Sequence, residues 1–195
     1  MTHTLHRKGK INDLTEDYVI LAMLAVGIND NYKDSRQKLR RVGEIMKNNN
    51  PVNIQSEKGW GISLTLTGAF DNLESVKNVI RQLKEEDLGI SIVISGLISE
   101  IENALQEIDL DIHTIHFSLG TFGKKEFLPS EKILEITTMC GHHTVSPQSI
   151  SNYVALIKKG KISLKRAAEK LTKPCVCGIV NTSRVIKILN TLLKE

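Results

Sequence analysis

The spacing of apolar positions divides the chain into a short series of elements. Leu14, Val19, Ile20, Met23, Leu24 and Ala25 occupy most of a helical circumference. Asp13 stands ready to cap with Glu16 three positions on, and Gly27 stops the run, so the pattern predicts a helix over 14–27. Ser35 to Lys47 reads as a second helix, with Leu39, Val42 and Met46 near helical spacing and Asn48-Asn49-Asn50-Pro51 as its terminator. From Gly59 the rhythm changes: Ile62, Leu64 and Leu66 alternate with Ser63 and Thr65, the period of a strand, and Thr67-Gly68 closes it. Asp71 or Asn72 opens an amphipathic helix with Val76, Val79, Ile80 and Leu83 inward, ending near Asp87. A strand over 90–94 closed by Ser95-Gly96, a helix over 97–107 and a third strand over 112–118 complete the run.

Strand, helix, strand, helix, strand predicts an α/β fold: a small, mostly parallel βαβαβ sheet with right-handed crossovers, N-terminal helices packed on it and a C-terminal helical lobe. The expected organisation is an N-terminal helical segment over 1–51, an α/β body over 52–128 and a basic helical lobe over 129–195. Within the lobe, 129–141 carries mixed signals. Ser130 as cap, Glu131 and Gly141 favour a helix, Ile136-Thr137-Thr138 a strand, and we read it as a helix. Further helices are expected over 147–159, over 163–172 opened by Ser163, and over 182–194 opened by Asn181 or Thr182.

Each predicted strand ends in a hydroxyl residue with a glycine close by: Thr67-Gly68, Ser95-Gly96 and Ser118-Leu119-Gly120. On a parallel sheet these ends share the carboxyl edge, where open α/β sheets bind ligands, which makes Thr67, Gly68, Ser95, Gly96 and Ser118 candidate ligand residues. His116, near the end of the third strand, would reach the same crevice as a catalytic group. The backbone amides and ammonium groups of Gly120, Gly123 and Lys124 offer an anion nest, though not a P-loop, because the spacing is short. The plain alternative is that glycine ends strands and serine or threonine starts turns.

Composition narrows the class. With 195 residues, 41% hydrophobic and 25% charged, the chain has globular usage and room for one body with an appended lobe. No signal peptide is apparent, and the longest apolar run, 18–28, is shorter than the about 20 residues a membrane span requires, so a cytoplasmic protein without a membrane partner is expected. An aromatic content of 4% argues against base stacking on single-stranded nucleic acid. The net charge of +4 is unevenly spread: from Ser146 onward ten Lys/Arg face two Glu, and the preceding residues are net acidic. Such segregation predicts an anionic neighbour for the lobe, whether a small anionic ligand, a nucleic acid, a thiolate-ligated cluster or the chain's own acidic body; a solvated lysine face is the plain reading.

The three cysteines fall in two glycine-punctuated segments, Met139-Cys140-Gly141-His142-His143 and Lys173-Pro174-Cys175-Val176-Cys177-Gly178. Cys140, Cys175, Cys177 and one of His142 or His143 suffice for one metal centre, with His142 or His143 as fourth ligand or catalytic proton carrier. Soft sulfur ligands select an iron–sulfur cluster; zinc is the alternative, although Cys-x-Cys with Cys-x-His is tighter than the usual zinc spacing. A metal-free reading pairs Cys140 with a neighbouring histidine as nucleophile and base, or cycles Cys175 and Cys177 through a strained disulfide. A competing class is a DNA-binding regulator. Residues 160–171, followed by the helix carrying Arg184 and Lys187, resemble a helix-turn-helix, but the connection through Pro174 to Gly178 is too long for its turn.

Overall fold

The computed structural model describes residues 7–118 and 120–195, so Leu119 of the Ser118-Leu119-Gly120 segment lies outside the described residues. The elements in chain order are α1 (Ile11–Leu14), β1 (Tyr18–Met23), α2 (Ser35–Asn48), β2 (Asn53–Ile54), β3 (Thr65–Phe70), α3 (Leu73–Glu86), β4 (Ser91–Ser95), α4 (Ile98–Gln106), α5 (Glu131–Thr137), α6 (Pro147–Lys158), α7 (Leu164–Thr172) and α8 (Thr182–Leu192). The four strands form one sheet in the order β2-β3-β1-β4. Every pairing is antiparallel. From β1 to β4 the alternation is β-α-β-β-α-β, the split βαβ or ferredoxin-like arrangement.

This overturns the expected mostly parallel sheet, and the cause lies in one segment. Tyr18–Met23, predicted as part of a helix over 14–27, is the inner strand β1. Tyr18, Ile20 and Ala22 face the helical layer, packed with Leu39, Val42, Val76 and Val79. Val19 faces the other way, against Ala69 and Ile179. A strand covered on both faces is apolar at successive positions and loses the alternation that identifies strands, so its pattern imitates a buried helix. With β1 inserted between β3 and β4, the predicted parallel neighbours become antiparallel partners of a third strand.

Two further expectations shift. The strand forecast to end at Thr67-Gly68 runs Thr65–Phe70, which places Thr67 and Gly68 in its interior. The forecast third strand over 112–118 is absent: the segment runs beside β4 without strand pairing. The remaining helices follow their caps. The side chains of Asn72, Ser146, Ser163 and Asn181 accept the backbone N–H groups of Ser75, Ser149, Arg166 and Arg184 at the starts of α3, α6, α7 and α8.

The helical lobe has its own apolar cluster, including Ile136, Met139, Ile150, Ala167, Leu171, Val185 and Leu189. A polar seam joins it to the sheet. Asn53 Nδ2 donates to the carbonyls of Gly178 (2.8 Å) and Val180 (3.2 Å). Asn181 Nδ2 donates to Glu16 O (2.8 Å) and Asp17 Oδ1 (3.2 Å). At the centre, the buried Arg184 guanidinium meets Asp17 at 2.6 Å and Glu135 at 3.1 Å, and Arg7 meets the same Asp17 at 2.9 Å. Buried ions are tolerated only when paired and hydrogen-bonded in this way. Lys187 pairs with Glu16 beside them. Part of the lobe's positive charge is therefore answered by the chain's own acidic groups.

Candidate metal centre

Two tight turns of matching form carry the cysteines. After α5, the Cys140 carbonyl accepts the His143 N–H at 2.9 Å. After α7, the Cys175 carbonyl accepts the Gly178 N–H at 3.0 Å. Each turn ends in a left-handed residue, His143 at φ 52° and Gly178 at φ 67°, which redirects the chain. Both turns thus present a sulfur at the first position and a second donor at the third: Cys140 with His142, and Cys175 with Cys177. Cys-x-His and Cys-x-Cys are in this sense the same device, used twice.

The turns meet face to face. Cys175 Sγ lies 3.3 Å from Cys140 Sγ, 3.2 Å from Cys177 Sγ and 3.3 Å from His142 Nδ1. Cys177 Sγ lies 3.8 Å from His142 Nδ1. The Cys140, His142 and Cys175 donor atoms all lie within 4.8 Å of one another and could hold a metal ion. For comparison, sulfurs bound at about 2.3 Å to one tetrahedral ion stand roughly 3.8 Å apart. Cys140 and Cys175 are buried, Cys177 half-buried, and Val176 between the last two is 86% exposed, so the second turn is buried at its base and open at its tip.

Three close sulfurs cannot all be charged without a counterion, and the thiols divide accordingly. Burial acts to raise the Cys175 thiol, but hydrogen bonds from Cys177 and Cys140 outweigh it and bring its pKa down to about 6. Burial pushes Cys177 up to about 12; the Ile179 N–H on its sulfur, at 3.4 Å, opposes this, and the neighbouring Cys175 adds to it. A bound cation reverses this logic, because a coordinating thiol is deprotonated outright.

Of the residues singled out in the sequence, Cys140, Cys175, Cys177 and His142 come together. His143 is exposed and contributes the backbone bend. Thr67 is buried inside β3 and Gly68 lies within the same strand, while Ser95, Gly96, His116 and Ser118 border a separate cavity along β4. Gly120, Gly123 and Lys124 lie in the exposed connection before α5, where the Lys124 ammonium stands 5.8 Å above the Phe127 ring. β1 lies between β3 and β4, Thr67 and Gly68 sit inside β3 rather than at its end, and 112–118 is not a strand, so no crevice at one sheet edge unites these residues.

Several contributors had no individual signal in the sequence. Thr144 Oγ1 lies 3.5 Å from Cys140 Sγ, a hydroxyl two positions beyond the histidine ligand candidate. Arg184 reads in the sequence as part of a helix-turn-helix-like segment, whereas the structure buries it against Asp17 and Glu135. Among the described residues no helix is long and apolar enough to cross a membrane. The chain matches no protein-family model, and no curated protein or solved structure shows significant similarity to it.

Proposed function

We propose that this chain is a metal-binding protein in which Cys140, Cys175, Cys177 and His142 hold one thiolate-ligated ion between its two matched turns. The observation that carries the reading is the convergence of two turns 35 residues apart: the Cys140, His142 and Cys175 donor atoms all lie within 4.8 Å of one another, and Cys177 Sγ lies 3.2 Å from Cys175 Sγ and 3.8 Å from His142 Nδ1. Thiolate and imidazole are the donors that zinc and iron take in tetrahedral sites. Four protein donors close the coordination sphere, which favours a structural ion over one with an open position for substrate. Such an ion would staple the end of α5 to the turn ahead of α8, which Ile179 packs onto the sheet.

A second reading, an iron–sulfur cluster, is favoured by the three thiols and by the Ile179 N–H that bonds the Cys177 sulfur, a contact that tunes clusters. It asks more of the site, since the thiolates would be divided among two or more irons and the sulfurs would have to spread. Metal and sulfide analysis of protein purified without oxygen tests both. One zinc or one iron per chain, without sulfide, supports the single-ion reading. Brown protein with stoichiometric iron and sulfide supports the cluster. Protein with no stoichiometric metal, remaining so after titration with zinc and ferrous ion, overturns both.

A further inference from the structure

The three sulfurs of the candidate centre are not equivalent. Cys175 Sγ touches both others, at 3.3 Å from Cys140 Sγ and 3.2 Å from Cys177 Sγ. Both separations are shorter than the roughly 3.8 Å of sulfurs sharing one tetrahedral ion. A disulfide of about 2.05 Å asks either pair to close by only about 1.2 Å. Exposure ranks the sulfurs along the same path: Cys140 is fully buried, Cys175 is buried, and Cys177 is half-buried beside the exposed Val176 at the open tip of its turn. A small oxidant reaching the centre therefore meets Cys177 first, Cys175 next and Cys140 last.

The two closures differ. Cys175 and Cys177 belong to one tight turn, in which the Cys175 carbonyl accepts the Gly178 N–H, and a disulfide there would close a ring over the single residue Val176. Such a ring departs from ordinary disulfide geometry, and departures make the bond more reducible. Cys140 and Cys175 sit on separate turns, 35 residues apart, so their bond closes no small ring. A bond between Cys175 and Cys177 is thus a poor end point, and Cys140 stands in contact with the sulfur it would attack to resolve it.

We propose that these thiols form a hydroperoxide-responsive relay that ends in a disulfide between Cys140 and Cys175 and expels the metal ion. Release of the ion rests on the single-ion reading; formation of the disulfide does not. With hydrogen peroxide as oxidant, the Cys177 thiolate attacks one peroxide oxygen: an S–O bond forms, the O–O bond breaks, and the second oxygen leaves as hydroxide. The Cys175 thiolate then attacks the Cys177 sulfur, forming an S–S bond and displacing a second hydroxide. The Cys140 thiolate next attacks the Cys175 sulfur, and Cys177 leaves as a thiolate. In all, two thiolates give up two electrons, and hydrogen peroxide takes them with two protons from solvent to yield two waters. The ion loses two of its three sulfur ligands, which it requires as thiolates. The new bond spans the same two turns that the ion joined, so one cross-link replaces the other.

The test is oxidation of the full chain, purified without oxygen and titrated with zinc, by one equivalent of hydrogen peroxide. A chromophoric chelator follows zinc release, and alkylation, proteolysis and mass spectrometry map the cross-link. The expected result is a disulfide between Cys140 and Cys175, zinc released in step with it, and Cys177 recovered as an alkylated thiol. Cys177→Ser should slow cross-linking about tenfold or more, because the sulfurs left to react are buried. Cys140→Ser should stop at a bond between Cys175 and Cys177 that a monothiol reduces about tenfold faster than the bond of the unsubstituted chain. The map of the unsubstituted chain decides the end point even where a variant fails to fold. Sulfinic acid at Cys177 without a cross-link, a bond confined to Cys175 and Cys177, or a bond between Cys140 and Cys175 with zinc retained would each overturn the relay. A chain that takes up no zinc yet joins Cys140 to Cys175 would support the relay chemistry and overturn the single-ion reading instead.

Discussion

The sheet body and the C-terminal lobe bury apolar clusters of similar makeup but depend on different reinforcement. In the body, 14-residue helices α2 and α3 cover the strands, and among the described residues no group of metal-ligating side chains gathers there. In the lobe the four helices have 7, 12, 9 and 11 residues, none as long as α2 or α3 and all within lengths at which an isolated helix is marginal in water. The lobe therefore relies on what lies between its helices: the thiol turns and the charged seam. A region with short helices gains most from a cross-link, and the candidate metal centre sits where such a link would act.

The largest expected contrast comes from removing the metal. Structural zinc sites in small domains supply on the order of 10 kcal/mol of folding free energy. Chelation, or Cys175→Ser, should therefore accelerate amide hydrogen exchange across α5 to α8 while β1 and β3 stay protected. Equal acceleration in both regions would show that body and lobe form one cooperative unit, which dissolves the distinction drawn here.

The seam comes next. Asp17→Ala leaves Arg7 and Arg184 buried without their shared carboxylate, and breaking a buried pair costs about 3–5 kcal/mol, visible as a lower urea midpoint. Asp17→Leu combined with Arg184→Met, which removes opposite charges together, should recover part of that loss. A double variant no better than Asp17→Ala would mean that the ions serve packing rather than each other.

Caps sharpen the comparison on a smaller scale. Asn72→Ala in the body removes only the cap of α3 and should cost about 1 kcal/mol. Asn181→Ala in the lobe removes the cap of α8 together with the bonds to Glu16 and Asp17, and should cost about twice as much in thermal or urea unfolding. Equal losses would show that the seam bonds add nothing beyond the cap.

A further contrast is a pH dependence confined to the lobe of the metal-free protein. Cys175 is held at about 6, below the ordinary 9.0, so its stabilising contribution is present above pH 9 and is lost as pH falls toward 6. Cys177 is raised to about 12, so its contribution is present below pH 9 and is lost as pH rises toward 12. Thiolate absorbance should accordingly show one early ionisation near pH 6 and another delayed far beyond the normal range. A single step near pH 9 for all the thiols would contradict the packed geometry.

Much of the helical framework was legible because its signals are local. Ser163 and Asn181 cap the helices they were expected to open, and the end of α2 at Asn48 follows from its polar terminator. β1 was illegible for the opposite reason: its neighbours on both faces, Ile20 with the helices and Val19 with Ile179, come from distant segments, and their joint coverage erases the alternation of a strand. The consequence spreads, since an unseen central strand makes the two strands that each pair antiparallel with it look like adjacent parallel neighbours. The cysteine turns were readable as chemistry from their glycines and histidines. The choice of His142 over His143 was not, because it rests on which residue occupies the third position of the turn and which supplies the left-handed bend. The seam at Asp17 and Arg184 joins residues 167 positions apart and leaves no local trace.

The most direct test of the two-turn centre is X-ray absorption at the metal edge of the anaerobically purified protein. The account predicts a first shell of three sulfurs at about 2.3 Å and one nitrogen at about 2.0–2.1 Å, with no metal–metal scattering. A shell of oxygen and nitrogen alone, or one unchanged in Cys140→Ser and Cys177→Ser, would contradict it.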